Sequence, residues 1–315
     1  MGEVYHIPAL LEPTIHGLNI QSDGIYVDVT FGGGGHSRAI MQHLGENGQL
    51  YSFDQDADAY RNRIDDPRWH FVHGNFRYLK NFMDFYHVAH INGLLADLGV
   101  SFHHFDEAER GFSFRFAGPL DMRMNQQANK TAEDIINTYT EEDLARILYL
   151  YGELNNSRQL AHKIVVARSA KSITRIEELI NITSTQHRRI DTDISGTELD
   201  IDPRTKKDLS KLFQALRIEV NDELAALREM LQAAQTLLVS GGRIAILTYH
   251  SLEDRIVKNF LKSGNMEGIV PKDFYGNSLS PFLVLEKGLS PDAEEIERNP
   301  RSRSAKLRIA EKIVP

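Results

Sequence analysis

The chain has 315 residues, 41% of them hydrophobic and 25% charged, with a net charge of −8. That length supports a sizeable core in one large domain or two medium ones, and the absence of cysteine excludes disulfides, thiolate metal sites and a Cys nucleophile. The acidic balance excludes a general polycation, and no apolar run reaches the roughly 18–20 residues that span a membrane, so a cytoplasmic protein is expected.

The first hundred residues alternate between strand-like and helix-like patterns. Strands are predicted at 25–30, 49–53, 69–73 and 91–97, and helices at 36–44, 56–64 and 76–86. This alternation predicts βαβ units and a parallel sheet. Within it, YVDVTFGGGGHS (26–37) runs from an apolar strand through four glycines, Gly32 to Gly35, into a helix start. Such a turn lets a ligand approach backbone N–H groups closely. The next strand, QLYSF, ends at Asp54, where α/β folds hold ribose hydroxyls. The run INGLLAD (91–97) reads as a buried central strand ending at Asp97.

From 107 to 212 the pattern is helical without strand signals. Thr131 with Asp134, and Thr140 with Asp143, mark two helix starts. Further helices are expected at 155–169 and over ITRIEELINIT, and the polar stretch 183–210 reads as a mobile loop. A long amphipathic helix is predicted from 213, with Leu224, Leu227, Leu231 and Leu238 on one face and Gly241–Gly242 ending it. GRIAILTYHS (242–251) returns to a buried strand. Residues 263–290 show little periodicity, and AKLRIAEKI (305–313) reads as a final edge strand. The expected division is therefore an α/β domain of 1–106 and 213–315 with a helical insertion at 107–212.

The glycine loop fits neither G-x-G-x-x-G nor a P-loop: the third glycine is missing in both frames and no Lys follows. With Asp54 and Asp97 it matches an S-adenosylmethionine site better than a nicotinamide site. A DNA amino methyltransferase is disfavoured because Asp97-Leu98-Gly99-Val100 stands where Pro-Pro-aromatic would follow. A Ser-His-Asp hydrolase lacks the G-x-S-x-G elbow. His103, His104 and Asp106 match no ligand spacing, so no metal is expected. Arg110, Phe112, Phe114, Arg115, Phe116 and Arg123 interleave cations with aromatics, a pattern that suits bases and phosphates. RNPRSRSAKLR (298–308) is basic throughout, and a non-catalytic RNA-binding assembly factor would share these clusters.

Together YVDVTFGGGGHS, DLGVS, ERGFSF, GPLDMRM, FQALRIEVNDEL, HSLEDR and NPRSRSAKLR resemble, in order and from about His6 to Ala310, the RsmH (MraW) family of small-subunit rRNA methyltransferases. The resemblance implies an α/β fold, a Rossmann-like class I methyltransferase with a mostly parallel central sheet and an inserted all-helical domain. It implies methyl transfer from S-adenosyl-L-methionine to the exocyclic N4 of a decoding-region cytidine of 16S rRNA, probed as naked rRNA or within the 30S subunit, by a monomer or homodimer. Carried over by motif, the cofactor residues are Gly34, Gly35, His36, Asp54, Phe76, Asp97 and His104, the last in the place of the family's usual Gln. Asp97 is the first candidate to accept the N4 proton, with Glu253 and Asp254 after it. Arg110, Arg123, Arg217, His250, Arg301 and Arg303 are the candidate RNA contacts.

Overall fold

A computed structural model describes residues 8–100, 105–184 and 196–313, apart from the Arg204 side chain. The chain divides into two compact units, one of residues 1–99 with 224–315 and one of residues 100–223.

The first unit is built on a seven-stranded sheet. Its strands are β1 (Ile25–Asp28), β2 (Gln49–Asp54), β3 (Trp69–His73), β4 (Ile91–Asp97), β5 (Leu238–Thr248), β6 (Phe282–Leu289) and β7 (Lys306–Lys312). They lie in the order β3-β2-β1-β4-β5-β7-β6. The pairs among β1 to β5 are parallel, and β7 is antiparallel to both β5 and β6. The central strands are apolar because they are covered on both faces: Val27, Phe53, Leu94, Leu95 and Ala96 are all fully buried. Helices α1 (Leu11–Leu18) and α2 (Gly35–His43) seal one part of this core, where Leu18 and Ile40 meet Leu50, Leu95 and Leu247. The chain moves outward from β1 through β2 to β3, then returns to β4 on the other side of β1. The order therefore reverses between β1 and β4, where loops at the strand ends diverge and α/β sheets bind their ligands.

The second unit holds α4 (Ala132–Thr138), α5 (Glu141–Leu150), α6 (Ser157–Ala170), α7 (Ile176–Thr183) and α8 (Pro203–Asn221); α3 (Leu79–Phe85) belongs to the first. Its core joins Ile135, Leu144, Leu148, Ile164, Leu179, Leu212 and Leu216. Thr131 and Asp134 form a reciprocal capping box, and the Thr140 side chain accepts from the Asp143 N–H. Each cap supplies partners for end N–H groups and is worth about 1 kcal/mol.

Several expectations are corrected. Residues 57–62 form a 3₁₀ turn, and the segment from 76 opens with another before α3. The helix expected from 213 starts at Pro203, whose fixed φ suits a first helical position. It breaks at Asp222, which has φ +51°, before α9 (Glu223–Leu237). The stretch 183–210 thus includes helix as well as loop; residues 185–195 of it lie outside the described residues. Because Leu209, Leu212, Phe213 and Leu216 are buried in the helical core, the division falls after Glu223 instead of at 212. Gly241 and Gly242 lie within β5, not at a helix end. Residues 306–312 are interior to the sheet because β6 pairs outside them. That strand was hidden by register irregularities at Val284, Glu286 and Leu289.

Candidate active site

The glycine loop follows β1 at the sheet's reversal point. Gly32 and Gly34 have φ +49° and +75°, a region that a Cβ disfavours. A Cβ on Gly35 would stand 2.3 Å from Pro8 Cγ. The loop is held by one carboxylate and two side-chain donors. Asp54 accepts from Gly32 N–H at 2.8 Å and from Asp56 N–H at 2.9 Å. Asn62 donates to the Gly32 carbonyl at 2.9 Å, and Arg38 to the Gly33 carbonyl at 2.7 Å. The loop carbonyls are thus tied down by side chains from α2 and the 3₁₀ turn.

A second network lies under the start of α2. Asp28 is buried, accepts from Ser37 Oγ at 2.7 Å and from Thr30 N–H at 3.0 Å. Ser37 Oγ also lies 2.8 Å from Ser52 Oγ, which accepts from Trp69 Nε1. Burial holds the Asp28 carboxyl above its ordinary value, against the lowering effect of the Ser37 hydroxyl. Asp28 is a residue the sequence reading missed. Its signal was the VDVT segment, an acid two residues before a Thr at the end of β1.

Asp97 closes β4. Its N–H donates to Thr30 Oγ1 at 2.6 Å, so the ends of β1 and β4 are locked to each other. Tyr249 Oη donates to Asp97 Oδ1 at 2.6 Å. His36 Nδ1 stands 3.7 Å from Asp97 Oδ2, while His36 Nε2 lies 3.2 Å from the Ala9 carbonyl. A carbonyl only accepts, so Nε2 carries the ring proton in the neutral imidazole. Burial lowers the His36 pKa, which favours that neutral form. The Asp97 carboxyl is pushed up to about 7, chiefly by burial and further by the nearby Glu253 charge, with the Tyr249 hydrogen bond opposing. An acid poised near neutrality is suited to taking up a proton. Tyr249 is the second residue missed, hidden in TYHSLEDR beside the more conspicuous His250.

The other expected residues are distributed as follows. Phe76, partly exposed, begins the 3₁₀ turn after β3. His104 lies outside the described residues. His250 caps helix α10 (Ser251–Ser263), with Nε2 3.0 Å from Glu253 Oε1 but without the alignment of a hydrogen bond. Glu253 is buried, and its Oε2 accepts from the Tyr249 N–H at 3.1 Å. Asp254 instead makes a bidentate pair with Arg308, at 2.8 and 3.0 Å. Burial alone would raise its carboxyl, but the Arg308 hydrogen bonds and charge hold it below the ordinary range. Arg301 and Arg303 are exposed on a 3₁₀ turn.

In the helical unit, Arg110 is buried and donates to the carbonyls of Arg123 and Met124. Arg123 grips Asp121 through two hydrogen bonds at 2.8 and 2.7 Å and reaches the Ala128 carbonyl. Arg217 makes a bidentate pair with Glu223. These three guanidiniums are engaged within the unit itself.

The donor set at the reversal point fits one kind of ligand. It offers a glycine loop with no side chains to bar close approach, a carboxylate at the end of β2 that could accept from vicinal hydroxyls, and His36 at the start of α2 as an acceptor for an amino-acid end. The fold and this site define a Rossmann-like methyltransferase whose methyl donor is S-adenosyl-L-methionine.

The chain matches the MraW methylase family over residues 3–313 and belongs to it. It is 58% identical over 309 residues to the ribosomal RNA small subunit methyltransferase H of Bacteroides thetaiotaomicron, covering 98% of this chain and 97% of that one. It is 50% identical over 313 residues to the protein of the same name from Cytophaga hutchinsonii, covering 98% and 100% respectively.

Proposed function

We propose that this enzyme methylates 16S rRNA in the small ribosomal subunit, at the exocyclic N4 of a cytidine in the decoding region, in the cytoplasm. The substrate follows from relatives named for small-subunit rRNA methylation. The choice of an amine is supported by one observation above all. Asp97, at the carboxyl end of β4, has one oxygen fixed by Tyr249 and the other open toward His36, with a carboxyl balanced near neutrality.

S-adenosyl-L-methionine supplies, when bound, a methyl group already activated as an electrophile. Gly34, Gly35 and His36 would hold its amino-acid end, and Asp54 its ribose. The cytosine amine is a poor nucleophile because its lone pair is delocalised into the ring. Asp97 addresses that weakness: accepting the N4–H localises the lone pair, and Oδ2 would take the proton as the N–C bond forms and the donor's S–C bond breaks, the donor leaving as a neutral thioether. Tyr249 keeps Oδ1 occupied and so orients the carboxylate. Asp254 is a poor base, because Arg308 stabilises its ionised form. Alignment in a closed site supplies up to about 7–11 kcal/mol, and proton transfer about 10²–10⁴ in rate. The base must be unstacked to reach the loop. The helical unit docks the rRNA, while Arg301 and Arg303 offer exposed cations in the first unit.

The test is methyl transfer from labelled donor to small subunits that lack the modification, followed by digestion and mass spectrometry. N4-methylcytidine at one decoding-region position is expected. Label on another base, or none, would overturn the assignment.

A further inference from the structure

Helix α10 is capped by His250, one residue after the Tyr249 that bonds Asp97. Its inner face is apolar: Leu252, Ile256, Val257, Phe260 and Leu261 are buried. Its exposed positions are Ser251, Arg255, Lys258 and Lys262, so every charge on that outer face is positive. The acids of the helix, Glu253 and Asp254, are turned away into the contacts already described. The chain carries 44 acids against 36 Lys and Arg. An all-basic helix face on a molecule with that surplus of acid is a local feature, not a reflection of composition.

The loop after the helix adds a second, independent feature. Phe274 and Tyr275 are 98% and 86% exposed, side by side and edge to face at 5.6 Å. They do not hang on a slack loop. The Asp273 carboxylate accepts from Tyr275 N–H at 2.9 Å, from Asn277 N–H at 2.8 Å and from the Asn277 side-chain amide at 2.8 Å. Asp273 N–H donates in turn to the Asn277 carbonyl, and Lys272 bridges to Ser278. The tip is a braced turn that holds two aromatic rings in water, where apolar surface is costly. Lys272 and Asp273 are the charged residues of the turn itself.

We propose that the outer face of α10 and the Phe274–Tyr275 tip form a track for single-stranded RNA, the strand that flanks the target cytidine. Cations following a backbone, with aromatics for successive bases, are what single strands bind. From Arg255 to Lys262 the face spans about 10 Å of helix axis, seven steps of about 1.5 Å each. The track starts at the site, so a strand lying on it leads its base toward Asp97. This inference rests on the rRNA reading above and extends it beyond the HSLEDR motif to Lys258, Lys262 and the Phe274–Tyr275 tip.

The experiment uses the full chain, a fluorescently labelled single-stranded fragment of small-subunit rRNA, and anisotropy over a salt series. Lys258→Glu with Lys262→Glu should weaken binding at least about tenfold. It should also lower the slope of log affinity against log salt by about 1.4, at about 0.7 per single-strand phosphate contact. Phe274→Ala with Tyr275→Ala should weaken binding about tenfold with the slope unchanged, since stacking releases no counterions. Neither pair should move donor affinity or the melting temperature. Wild-type affinity and slope in both variants would overturn the track while leaving the rRNA reading intact. A defect seen with assembled subunits but not with naked RNA would identify a protein as the occupant and overturn it too. Failure of the unaltered enzyme to methylate rRNA would instead strike the reading on which the track rests.

Discussion

Asp97 and Asp254 are acids of the same unit, at opposite sides of the β5 end, and their surroundings separate them. Asp97 receives one neutral hydroxyl and sits near a second carboxylate, so burial governs it and its proton is held up to about 7. Asp254 receives a guanidinium face to face and a Lys306 ammonium at 3.7 Å, so it stays ionised. The difference shows how to tell a working carboxylate from a structural one at a sheet edge. A working one is desolvated and only partly satisfied, and a structural one has its charge cancelled.

The largest expected effect breaks that contrast directly. Asp97→Asn should slow single-turnover methyl transfer at saturating donor by about 10²–10⁴, with RNA affinity unchanged. Asp254→Asn should alter that rate by no more than a few-fold and should instead lower the melting temperature, because it leaves the buried Arg308 without its partner. Equal losses of rate in the two variants would erase the distinction.

A smaller effect sharpens the contrast through pH. If ionised Asp97 accepts the proton, the transfer rate should fall about tenfold per pH unit below about 7 and level off above it. The Asn variant should lack this limb. Stability moves the other way. The folded carboxyl lies above its ordinary value of 3.8, so its favourable contribution is complete below about pH 4 and is lost as pH rises through about 7. Asp97→Asn should therefore gain in melting temperature over the wild type at about pH 8 but not at about pH 4. A rate profile flat through neutrality would remove Asp97 as the proton acceptor.

The sheet was legible because its signals are local. Buried strands such as INGLLAD are continuous apolar runs, and the glycine loop with Asp54 declares itself by spacing alone. Strand β6 was not legible, because its exposed positions carry Leu283, Leu285 and Leu289 and its register slips twice. The start of α8 was masked by a polar first turn, DPRTKKD, whose helical character depends on Leu209 and Leu212 reaching a core assembled from distant segments. In the site, the acids at strand ends stood out in the sequence. Tyr249 did not: its importance comes from a hydrogen bond to a residue 152 positions away, and no local pattern encodes that.

The arginines carry the same lesson into the helical unit, and the smallest predicted effect tests it. Arg110 sits among aromatics in ERGFSF and invites a reading as a phosphate contact. Yet it is only 7% exposed, lies 5.9 Å from the Phe112 ring, and points its Nη2 at two backbone carbonyls. Those carbonyls belong to the turn that leads into α4, and Arg110 donates to both. Arg110→Met keeps much of the apolar stem but removes the donors. Removing a donor from partly buried acceptors costs up to about 1–3 kcal/mol, so denaturant unfolding should show a loss of that order. The slope of RNA affinity against salt should stay the same, because a guanidinium already committed to the backbone releases no counterion when RNA binds. A drop in that slope with stability intact would return Arg110 to the surface that grips RNA.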